Sequence, residues 1–160
     1  MERVFSIVTM LTLSLLFFSS LSFGQHVHGG AKKDEGMKMD TREVLVEGVR
    51  VVFQIMANED HKKMLKDMKM KENIEPGTTH NITVTLKDEK TQKEITNAQI
   101  NMKVIGPKGM DQIKAPKFEE MMKSYDAYFS LPEKGKYQVM ILFKIKEKKP
   151  IPAGIYYEIK

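Results

Sequence analysis

The chain has 160 residues, a net charge of +5 and no cysteine, which suffices for one ordinary core and excludes disulfides, thiolate metal sites and cysteine nucleophiles. The positive balance comes from lysines interspersed with acids, without an arginine cluster and without aromatics alternating with basic residues. That pattern describes a solvated lysine surface and argues against nucleic acid as a partner.

In chain order, Met1-Glu2-Arg3 is a short basic start, and residues 4–18 are apolar apart from Ser6, Thr9, Thr12 and Ser14. Ser22-Phe23-Gly24 then places small residues where a signal peptidase would cut. The apolar run is shorter than the roughly twenty residues a bilayer span needs. Residues 1–24 are therefore expected to be a cleaved signal peptide, delivering the protein to the periplasm or beyond. After cleavage no further segment is long enough to cross a membrane. Residues 25–40 carry Gly29-Gly30, Gly36 and several charges with no apolar period, the composition of a disordered tail. Residues 41–160 are expected to form a single domain.

Within that domain, residues 43–56 alternate Val49, Val51, Phe53 and Ile55 with Arg50, Val52, Gln54 and Met56, predicting a first strand, with Gly48 at a bulge or at its start. A short helix is predicted over about 59–71, with Asn58 as N-cap and Glu59-Asp60 in its first turn. His61, Met64, Leu65 and Met68 share one face of it. Strands follow at Ile82/Val84/Leu86, Ala98/Ile100/Met102/Val104, Tyr125/Ala127/Phe129/Leu131, Tyr137/Val139/Ile141/Phe143 and Ile155/Tyr157/Ile159. Residues 110–115 give a weaker strand signal, and residues 118–122 are ambiguous.

Seven to eight short strands separated by turn signals predict a mainly β, immunoglobulin-like antiparallel sandwich with one helix. Leu131-Pro132-Glu133-Lys134-Gly135-Lys136-Tyr137 has the pattern of a tyrosine corner. Val52, Met56, Met140 and Leu142 have the opposite parity to the core residues beside them, so two strands carry apolar residues on both faces. The helix is the nearest element able to cover one of those faces.

The strand Thr79-His80-Asn81-Ile82-Thr83-Val84, the segment Lys93-Glu94-Ile95-Thr96-Asn97-Ala98 and the Leu131–Tyr137 turn resemble the small exported YtkA-like family, related to FixH-like proteins, over about residues 78–146. The resemblance implies an immunoglobulin-like fold and a link to copper handling or oxidase assembly. It supplies no catalytic residues.

Methionine is the compositional outlier, with 13 residues against few leucines beyond the signal segment. Thioethers pack like leucine and also bind soft Cu(I). Two candidate metal sites follow. One is the tail, where His26 and His28 offer two imidazoles beside the amine that cleavage would free at Gln25. The other is the helix face, with His61, Met64 and Met68 joined by His80 from the following strand. No serine, histidine and acid fall into a nucleophilic pattern, and no glycine-rich phosphate loop is present, so an enzyme is not expected. The sequence thus predicts an exported binding protein for a soft metal, most simply copper. The alternative it leaves open is a protein–protein module or assembly factor of a cell-envelope complex.

Overall fold

The structure, a computed structural model, describes residues 37–160. The expected signal segment and the tail histidines His26 and His28 lie outside the described residues. Nine strands and one helix follow in the order β1 (Met39–Val46), β2 (Val49–Ala57), α1 (Asn58–Asp67), β3 (His80–Asp88), β4 (Ala98–Ile105), β5 (Asp111–Lys114), β6 (Lys117–Glu119), β7 (Ser124–Phe129), β8 (Gly135–Ile145) and β9 (Ile151–Ile159). They build two antiparallel sheets, β1-β2-β3-β7-β6 and β5-β4-β8-β9.

Period-two patterning explains the layers. Phe53, Ile55, Ile82, Val84, Phe129, Val104, Val139 and Phe143 come from alternate positions of five strands, and each is at most 1% exposed between the sheets. Burying a side chain of this size contributes about 1.5–3 kcal/mol. The sandwich is tied at its corners by tyrosines. Tyr137 donates to the Glu133 carbonyl at 2.8 Å and accepts from the Glu133 N–H at 2.9 Å, forming the expected corner. Tyr125 accepts from the Ala98 N–H at 2.8 Å, linking the two sheets.

Three local features depart from the sequence reading. The predicted first strand is a hairpin: β1 and β2 are joined by Glu47-Gly48, with φ of 47° and 76°. Left-handed values at both positions of a two-residue loop match the right-handed twist of the flanking strands. The ambiguous segment contributes β6, reached from β5 through Ala115-Pro116 as the chain changes sheets. The helix ends at Asp67, before the expected position. Its first turn gains no side-chain cap. Asn58 instead donates its amide to the Thr78 hydroxyl at 2.9 Å, and its backbone N–H donates to the Thr79 carbonyl at 2.8 Å.

The helix stops through a Schellman arrangement. Met70 N–H donates to the Leu65 carbonyl at 2.8 Å and Lys69 N–H to the Lys66 carbonyl at 3.0 Å, with Lys69 at φ 54°. The helix lies on β2 and β3, on the outer face of the five-stranded sheet, and buries His61 and Leu65 there.

Candidate metal site under the helix

The floor of the site is set by strand register. Met39, Met56, Asn81 and Tyr128 form one row across β1, β2, β3 and β7; Gln54, Thr83 and Asp126 lie in the next. Neighbouring strands stand about 4.8 Å apart, so these side chains cover a compact patch of the outer face. The helix lowers His61 and Met64 onto it. Met122, in the turn between β6 and β7, joins from the side. Together Met39, Met56, Met64, Met122 and His61 line a cavity of about 150 Å³.

Three polar atoms around that cavity are buried without a hydrogen-bond partner: Nε2 of His61, Nδ2 of Asn81 and Oγ of Ser124. His61 is 1% exposed, Asn81 2% and Ser124 1%. An isolated buried polar group costs on the order of 1–3 kcal/mol, and all three belong to residues that line this one cavity. The Thr83 hydroxyl lies 2.6 Å from Asp126 Oδ1 and 2.9 Å from Asn81 Oδ1. One hydroxyl proton serves only one acceptor. Turning the Asn81 amide lets it donate to Thr83 while Thr83 donates to the carboxylate. In either orientation one polar atom of Asn81 remains for the cavity.

Nδ1 of His61 lies 3.2 Å from the Tyr128 hydroxyl, with the rings tilted at 47°. Burial holds the His61 imidazole below the usual histidine range, so the neutral, ligating form dominates at pH 7. Burial, with the charges of Asp126 and Glu119, pushes the Tyr128 phenol up to about 12.

On its other side His61 borders a larger cavity of about 740 Å³, which also contains Tyr128, Asp126 and Glu119. Burial raises Asp126 to about 6, opposed by the Thr83 hydroxyl and assisted by Glu119. Among the described residues no three His, Asp or Glu side chains converge as a metal cage. The donors that do assemble are one imidazole and several thioethers, a soft set suited to Cu(I) and unsuited to hard cations.

The structure brings His61 and Met64 together and keeps His80 and Met68 apart from them. His80 has the parity of Ile82 and Val84, so it lies on the inner face of β3. There its Nδ1 is 2.8 Å from the Thr79 hydroxyl and its ring meets Tyr157 edge-on at 6.0 Å. Burial lowers its pKa as well. Met68 is the C-cap residue, beyond the last helical turn, and is 41% exposed. Met56, Asn81 and Ser124 were not anticipated as site residues. The off-parity Met56 was their one visible signal.

No family model matches the chain, and no curated protein matches its sequence. Solved structures do share its fold. FetP of uropathogenic E. coli, as isolated, superposes with a TM-score of 0.57 at 11% identity over 78% of this chain and 97% of its own. A copper-bound variant of FetP gives a TM-score of 0.55 at 11% identity, over 76% of this chain and 97% of its own. A DUF4426 family protein of Pseudomonas aeruginosa gives 0.54 at 11% identity, over 74% and 94%. At such identity the likeness establishes the sandwich fold alone.

Proposed function

We propose that this protein is an exported, non-enzymatic binding protein that holds or passes Cu(I), with His61, Met56 and Met64 as the central ligands and Met39 and Met122 at the margin. The observation carrying this reading is the convergence of an unpartnered, buried imidazole nitrogen with four thioethers on one cavity of about 150 Å³. A neutral imidazole and thioethers bind Cu(I) without releasing protons, and their softness selects against Ca²⁺ and Mg²⁺. The copper-bound state of FetP supports the reading by analogy of fold. The signal-like residues 1–24 support export, and among the described residues no helix is long and apolar enough to cross a membrane. The resemblance of residues 78–146 to YtkA-like and FixH-like proteins fits the same picture.

The test is a Cu(I) titration of the purified protein under a competing chelator, repeated on His61→Ala and on Met56→Leu/Met64→Leu. Tight one-to-one binding, lost in both variants, supports the site. Wild-type protein that takes no copper from the chelator removes it.

A second reading, a partner-binding module of the cell envelope, has its own observation. The outer face of the four-stranded sheet exposes Ile113, Leu142 and Tyr156 at 66%, 45% and 55%. Lack of copper binding would make that face the one to pursue.

A further inference from the structure

His61 stands between two cavities, and the structure gives a protein partner to only one of its ring nitrogens. We infer that Tyr128 is the positioning residue of the site: its oxygen accepts the hydrogen of His61 Nδ1, so that the Nε2 lone pair is the one presented to the metal. The inference rests on the proposed copper reading and adds to it the group that selects the ligating nitrogen.

A neutral imidazole carries one N–H and one lone pair, and the partner of one nitrogen decides the role of the other. With His61 1% exposed, solvent has little part in that choice. The partner of Nδ1 is the Tyr128 hydroxyl, at 3.2 Å. A phenol can donate or accept there, and the surroundings decide. Asp126 lies two positions earlier on the same face of β7, and both Asp126 and Glu119 border the larger cavity with Tyr128. Carboxylates on that side attract the phenolic proton and leave the oxygen free to accept from Nδ1.

The opposite side of the ring gives the same answer. Ser124 lines the smaller cavity, and its unpartnered hydroxyl is able to donate to a bare Nε2. An N–H at that position would meet thioethers, which are weak acceptors. Both sides of His61 therefore favour hydrogen on Nδ1. This arrangement also leaves the imidazole ready for a soft cation without prior tautomer exchange.

The tautomer is read directly from long-range ¹H–¹⁵N correlations of the purified apo-protein at about pH 7.5, where the imidazole is neutral. The expected result is Nδ1 protonated and Nε2 bare in the wild type, with a shift towards Nε2–H in Tyr128→Phe. In a Cu(I) titration under a competing chelator, Tyr128→Phe is expected to bind about 10- to 100-fold more weakly. Wild-type protein that binds Cu(I) but carries hydrogen on Nε2 in the apo form overturns the assignment to Tyr128 alone. An unchanged tautomer and unchanged affinity in Tyr128→Phe overturn it too. Wild-type protein that binds no Cu(I) removes the copper reading and the positioning role together, whatever the tautomer. The wild-type spectrum decides the first point even if the variant does not fold.

Discussion

Met39 and Met56 are register partners across the β1–β2 hairpin, the first residue of one strand facing the penultimate residue of the other. Their meeting is fixed by the turn at the far end of the hairpin. A slip of one residue there would carry Met39 to the opposite face of the sheet and out of the cavity. The conformation that prevents the slip is concentrated at Gly48, with φ of 76°.

Gly48→Val is accordingly expected to lower stability by about 1–2 kcal/mol, because a β-branched residue resists left-handed φ. No neighbouring atom would meet the new Cβ, so the cost is one of backbone conformation alone. Urea unfolding measures it. If register is the link, Cu(I) affinity falls in the same variant; full retention of affinity would show that Met39 is not a ligand.

Methionine as ligand and methionine as packing are separated by replacement with leucine. Met56 is 5% exposed beside the cavity, whereas Met102 is 0% exposed between the sheets. Each Met→Leu change is close to volume-conserving and should cost less than about 1.5 kcal/mol. Met56→Leu is expected to weaken Cu(I) binding about tenfold or more, which is at least about 1.4 kcal/mol. Met102→Leu is expected to leave it unchanged. Equal behaviour of the two variants in the titration would return Met56 to the core.

The sandwich was legible because its strands alternate cleanly, as in Tyr137, Val139, Ile141 and Phe143 of β8. The tyrosine corner was legible because its whole geometry is contained within a few residues. The hairpin was readable in principle: Val44 and Val46 have even parity, Val49 and Val51 odd, and the change falls across Glu47-Gly48. The same parity rule separates His80 from His61, since His80 keeps step with Ile82 while the helix covers the face of Asn81. The rest of the site depends on long-range register. Thr83 meets Asp126 across 43 positions, and Met122 arrives from a turn with no period of its own. Local pattern holds no information about such meetings.

Asp126 gives a pH prediction whose sign is opposite to that of the histidines. Its carboxyl ionises at about 6, against 3.8 ordinarily, with burial the main cause. A folded value above the unfolded one contributes stability that is fully present below about 3.8 and is lost as pH rises through about 6. His61 and His80 are held below 6.5, so their contribution is present above 6.5 and is lost as pH falls. Asp126→Asn is expected to leave stability near pH 4 almost unchanged and to raise it near pH 7.5 by on the order of 1–2 kcal/mol, after discounting for partial exposure. Urea unfolding at the two pH values checks this, and an equal effect at both would contradict the raised value.

Tyr137 supplies the control that separates stability from binding. Its hydroxyl makes two bonds to the backbone of Glu133, and the turn between them carries Gly135 at φ 127°, where a Cβ would come within 2.9 Å of the Pro107 ring. Tyr137→Phe keeps the buried ring and removes both interactions, so a loss of about 1–2 kcal/mol is expected in urea unfolding. The corner belongs to the four-stranded sheet, whereas the proposed copper ligands lie on the outer face of the other. Cu(I) affinity should therefore survive in Tyr137→Phe. A variant that loses stability and copper binding together would mean that the cavity depends on the rigidity of the whole sandwich. The losses predicted for His61 and Met56 variants would then have to be corrected for that dependence before being assigned to ligation.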